Sequence, residues 1–185
     1  MRYLLTFLIL LVGCAPRFHE PLHPPLPGRV IVLHTDTEFS SDERSRLVHA
    51  SQVWNWLNNG VVRFDIAWDF DAARTSSFVD HRNDYLILRT YSTNYAQGAV
   101  EPSGVKVLAY TDNHRVHLLM DRLHGDKFER VVLHELGHVL GLQDRPQPGY
   151  LMSKAYNTVA CPSASEAVEV CERWNCSLQD VRYCD

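Results

Sequence analysis

Hydrophobic and polar positions divide the chain into three stretches. Tyr3 to Val12 is an apolar run. Ala15 to Gly28 carries five of the nine prolines (Pro16, Pro21, Pro24, Pro25, Pro27) and shows no periodicity. From Arg29 onward, strand-like and helix-like patterns alternate. The opening run is far shorter than the roughly 20 residues a bilayer-spanning helix needs. With Arg2 before it and small Gly13 after it, it reads as a secretory signal peptide over residues 1–13. The proline-rich stretch reads as a semi-rigid extended spacer, in which His19 and His23 are solvated linker residues. That leaves residues 29–185 as the folded domain.

Within that domain, Arg29–His34 is β-branched and predicts a strand. Ser40 and Glu43 form an S-x-x-E capping box opening a helix with Leu47, Ala50, Trp54 and Leu57 on one face, which Asn59-Gly60 ends. Val61–Trp68 alternates, so Val62, Phe64, Ile66 and Trp68 share a strand face. Tyr85–Thr90, Val105–Tyr110 and Val116–Met120 are three more strand candidates. Asp126 with Glu129 makes a second capping-box start, followed by Phe128, Val131, Val132, Leu136, Val139 and Leu140 at helical spacing. Gly141 suits the end of that helix. A third box, Ser163 with Glu166, opens a last helix carrying Ala167, Val168, Cys171 and Trp174. Strand, helix, several strands, then helices predicts one α/β or α+β domain.

Composition narrows the function without naming it. At 45% hydrophobic and 22% charged residues the chain is an ordinary globular one, which excludes collagen-like and wholly disordered classes. A net charge of −4 argues against nucleic acid as the main partner, since that calls for basic patches, and a monomer is expected.

The chemistry concentrates in His134-Glu135-Leu136-Gly137-His138, near the end of the second helix. Residues at i and i+4 share a helix face, so His134 and His138 can reach one metal ion. Glu135 points about 100° away from His134, too far for a third ligand but suited to a reactive water beside the metal. Gly141 can turn the chain back, and Asp144 then offers a third, oxygen ligand. Two imidazoles and one carboxylate suit zinc with an open fourth position. Downstream, Gly149-Tyr150-Leu151-Met152-Ser153 places a methionine in a turn-like stretch.

H-E-x-x-H-x-x-G-x-x-D followed by a methionine turn resembles the metzincin clan of zinc endopeptidases, and Asp as third ligand resembles its snapalysin-type subset. The resemblance implies a mixed twisted sheet with an active-site helix, a methionine turn and a C-terminal helix. It implies one catalytic Zn2+ held by His134, His138 and Asp144, with Glu135 as general base and proton shuttle. Met152 becomes a hydrophobic floor under the metal, and the substrate a protein or peptide. Several metzincins carry tyrosine two residues after that methionine, where this chain has Lys154; Tyr156 or Tyr150 is then the candidate to reach the zinc or the oxyanion. By analogy with the clan, Val116–Met120 is expected to be the sheet edge that pairs with substrate, with His114 and His117 facing solvent. The pairs Asp69/Asp71 and Asp112/Asp121 read as solvated strand-end carboxylates, not calcium ligands.

Five cysteines remain to be placed. Leu11-Val12-Gly13-Cys14 resembles a bacterial lipobox, which implies a lipidated Cys14, anchorage in a bacterial cell envelope and, with Ala15 next, the outer membrane where a cell has two. Cys161, Cys171, Cys176 and Cys184 are then an even set in an exported domain, expected to form two disulfides with three connectivities open. The rival reading is a non-catalytic surface lipoprotein binding metal or protein on a degenerate protease fold. Glu135 separates the two, because a binding module needs no carboxylate beside the metal.

Overall fold

The computed structural model describes residues 29–70, 84–91, 107–112, 114–155, 158–179 and 181–184. Cys14, the proline-rich tether, Asp71 and Tyr156 lie outside the described residues.

Five strands form one mixed sheet: β1 (Arg29–Asp36), β2 (Val62–Phe70), β3 (Asp84–Thr90), β4 (Ala109–Asp112) and β5 (Arg115–Leu119). Their order across the sheet is β2-β1-β3-β5-β4. β1, β2, β3 and β5 run parallel, and β4 alone pairs antiparallel, with β5. A parallel neighbour requires a crossover, and the helix α1 (Ser41–Leu57) supplies it between β1 and β2. Ser40 caps α1 through the expected box with Glu43. Leu47, Ala50, Val53, Trp54 and Leu57 form its buried face, and the helix ends at Asn59 and Gly60, both at positive φ.

Two strand expectations are corrected. The Val105–Tyr110 candidate begins later, at Ala109; residues 107 and 108 are not in a strand and residues 105 and 106 lie outside the described residues. Val116–Met120 falls on β5, which is interior; among the described strands the edges are β2 and β4. The hairpin returning at Asp112–Arg115 inserts the later strand between β3 and β4, a non-local choice that periodicity does not encode.

The helix α2 (Asp126–Val139) carries the metal motif, and α3 (Ala164–Trp174) closes the domain. α2 packs on α1, where Trp54, fully buried, donates its Nε1–H to the Leu133 carbonyl at 2.9 Å. Its expected capping box is absent: the N-cap is Gly125 at φ 53, without a side-chain cap. Asp126 and Glu129 instead sit in the first turn, where the helix dipole favours acids, and pair with Arg46 and His49 of α1. α3 keeps its Ser163–Glu166 box. The cysteines resolve into Cys161–Cys184 and Cys171–Cys176, with Cα separations of 6.2 and 4.9 Å, both normal for disulfides.

The two histidines of the β4–β5 hairpin, expected to face solvent, are each partly covered. His117, 16% exposed, stacks on Tyr110 and pairs with Asp112; His114 is half-buried at φ 65 and stacks on Tyr85. Strand pairing places an aromatic neighbour beside each, which covers the imidazole faces. Asp69 is not merely solvated either, since it accepts from His34 at 2.9 Å.

Candidate metal centre

α2 ends in a Schellman turn. The Leu142 N–H reaches the Gly137 carbonyl and the Gly141 N–H the His138 carbonyl, at 3.0 and 2.9 Å. Gly141 makes this possible at φ 94, a conformation L side chains avoid. The turn sends the chain back along α2, and Asp144 arrives beside the two histidines three residues later.

His134, His138 and Asp144 then offer ligand atoms that all lie within 4.8 Å of one another. Asp144 Oδ1 stands 3.2 Å from His134 Nε2 and 3.4 Å from His138 Nε2. Zinc–ligand bonds of about 2.0–2.1 Å at tetrahedral angles put ligand atoms about 3.3 Å apart, so the two aspartate–histidine spacings fit that ion. The ring orientation fits too. His134 Nδ1–H donates to the Leu151 carbonyl and His138 Nδ1–H to the Leu142 carbonyl, each at 2.9 Å. Those bonds select the tautomer whose Nε2 is free to ligate.

The same closeness makes the three groups interact as charges. Hydrogen bonds from His134 and His138 hold the Asp144 carboxyl well below the usual carboxylate range, against partial burial. Burial pulls the His138 imidazole down, but its bonds to Asp144 and the Leu142 carbonyl, with the charges of Glu135 and Asp144, leave it raised.

Glu135 is outside the trio, as its helix angle requires. It is 4% exposed, and burial pushes its carboxyl up; a hydrogen bond from Thr111 and the two histidines oppose that rise. Thr111 Oγ1–H donates to Glu135 Oε2 at 2.7 Å. The other oxygen, Oε1, has no hydrogen-bond partner among the described residues.

Met152 is fully buried and packs against α2 at Gly137, where an added Cβ would overlap its Sδ. Any side chain at 137 would push the methionine off the helix. Tyr150 lies with its ring 4.7 Å beneath the Arg145 guanidinium. Lys154 continues the backbone bridge to Arg145.

Three contacts that sequence reading missed hold this wall. Glu166 is fully buried; beyond its expected bond from the Ser163 N–H to Oε2 at 2.7 Å, its Oε1 accepts the Met152 N–H at 2.8 Å. Arg145, next to Asp144, pairs with Glu169 of α3 at 2.9 Å. Trp174 Nε1–H donates to the Leu140 carbonyl at 3.0 Å, the end of α2. The capping pattern marked Glu166, but its second oxygen meets a turn 14 residues away, which local spacing does not reveal.

A mixed sheet, a helix with i, i+4 histidines, an aspartate turned back beside them and a methionine turn define a metzincin-type zinc metallopeptidase domain. The matrixin family model matches residues 32–168, most of the folded domain, and the chain belongs to that family. The family supplies zinc metallopeptidases acting on peptide substrates. No curated protein matches the chain. The snapalysin-type likeness rests on Asp144 alone.

Proposed function

We propose that the protein is a zinc endopeptidase, exported and held at a bacterial cell surface by lipid on Cys14. The observation that carries the peptidase reading is Glu135: a buried carboxylate, fixed by one oxygen, beside a histidine–histidine–aspartate trio. A module that only binds metal has no use for it.

His134, His138 and Asp144 would hold the ion. When bound, zinc supplies a Lewis acid for the scissile carbonyl and a water nucleophile at neutral pH. Glu135 takes the proton of the attacking water on Oε1 and delivers it to the leaving amine nitrogen. The water oxygen becomes part of the new carboxylate, and the C–N bond breaks as the nitrogen gains its proton. β4 lies at one edge of the described sheet, and an extended peptide pairs there as an added strand. Met152 keeps the histidine-bearing turn of α2 dry from below.

Hydrolysis of denatured casein by the purified protein tests the reading. Activity lost to a chelator, regained with zinc and absent in Glu135→Ala supports it; a zinc-loaded protein without hydrolysis refutes it in favour of a binding role. The tether has its own test. A Cys14→Ser variant leaves the membrane fraction if lipid on Cys14 is the anchor, and an unchanged fraction overturns it.

A further inference from the structure

Glu135 is carried by α2, but the group that orients it comes from the sheet. Thr111 lies on β4, opposite Val116 of β5, and its hydroxyl crosses to Glu135 Oε2 at 2.7 Å. Tyr110 stacks on His117 and Asp112 pairs with His117. Side chains alternate along a strand, so Thr111 alone of these three turns toward α2.

We infer that Thr111 is a positioning residue for the proposed general base: its hydroxyl pins Glu135 Oε2 to the edge strand and leaves Oε1 aimed at the attacking water. This rests on the peptidase reading above. A glutamate carboxylate turns about a broad terminal torsion, and no other described residue hydrogen-bonds this one. Without the Thr111 bond either oxygen can rotate toward the metal side, or the carboxylate can swing among the neighbouring apolar groups. A base must present its acceptor within hydrogen-bond reach of the proton it takes, and small misplacements at such a site cost large factors in rate. Because Thr111 stands on the strand offered to substrate, the element that would align the peptide also aligns the base.

The test compares Thr111→Val, which keeps shape and strand propensity but loses the hydroxyl, with Thr111→Ser, which restores it. Zinc affinity, peptide hydrolysis and binding of acetohydroxamate to the zinc-loaded full chain are measured for each. Acetohydroxamate carries an acidic O–H that Glu135 can hold as it would hold the water proton. Expected for Thr111→Val is a fall of about 10-fold or more in kcat, the scale of one lost hydrogen bond to a charged group. KM and zinc affinity stay unchanged, acetohydroxamate affinity falls in parallel, and Thr111→Ser recovers both losses. Unchanged kcat and acetohydroxamate affinity in Thr111→Val overturn the inference, as does a loss that Thr111→Ser fails to recover. If the unaltered protein binds zinc but hydrolyses nothing, the peptidase reading fails, and acetohydroxamate affinity still decides the role of Thr111. A chain that takes up no zinc refutes both.

Discussion

Replacing Glu166 with alanine tests whether α3 holds the methionine turn. The carboxylate is fully buried and accepts three hydrogen bonds: Met152 N–H at 2.8 Å, Ser163 N–H at 2.7 Å and Ser163 Oγ–H at 2.7 Å. Its removal strands the Met152 N–H, also buried, at a cost of about 1–3 kcal/mol. It also dissolves the reciprocal cap of α3, worth about 1 kcal/mol. A total near 3 kcal/mol is a large part of the 5–15 kcal/mol that folds a typical domain. At about 2–4 °C per kcal/mol for this size class, the melting temperature falls by roughly 6–12 °C. The assay is thermal unfolding in the presence of a chelator, which separates the cap from any metal contribution. Zinc release to a fluorescent chelator, followed below the melting temperature, reads the second effect. The Leu151 carbonyl that orients His134 belongs to the same turn, so zinc leaves the variant faster. A melting temperature within about 1 °C of the unaltered protein, with unchanged release, refutes the claim that Glu166 is the clamp.

Other perturbations follow from the same contacts. In the chelated protein, Asp144→Asn lowers stability most between the two ordinary pKa values, 3.8 for the aspartate and 6.5 for the histidine. The lowered carboxyl stabilises above pH 3.8 and loses that as pH falls through its folded value; the raised His138 stabilises below 6.5 and loses that as pH rises through its own. A stability difference that is flat from pH 3 to 9 contradicts the coupling. Gly137→Ala sets a Cβ against Met152 and 3.3 Å from Trp54 Cζ2, so overpacking of about 1–3 kcal/mol outweighs the gain in helix propensity of about 1 kcal/mol. A raised melting temperature would count against that packing. Opening Cys161–Cys184, a bridge across 23 positions, by double serine replacement costs roughly 3 kcal/mol; denaturant unfolding with no shift in midpoint contradicts it.

The parts of the fold legible beforehand are those governed by local spacing. Capping boxes at Ser40 and Ser163 marked two helix starts, and Asn59-Gly60 and Gly141 marked two helix ends, because each is a contact within four or five residues. The i, i+4 pair His134/His138 was legible for the same reason, and Asp144 followed from the glycine turn between them. What escaped depends on pairing across the chain. The interior place of β5 is set by which strands meet, not by their alternation. Thr111 meets Glu135 over 24 positions and Glu166 meets Met152 over 14, and no periodicity carries that information. Asp126 was misread as a cap because acids belong equally in a first helical turn, where their partners came from α1.

Peptide cleavage in H2(18)O tests the central claim most directly. The purified zinc-loaded protein and its zinc-loaded Glu135→Ala variant are incubated with an unfolded protein in labelled water, and the products are read by mass spectrometry. The account predicts new carboxyl termini carrying one 18O each from the unaltered protein and none from the variant. Absence of new termini, or equal labelling from both proteins, would contradict it.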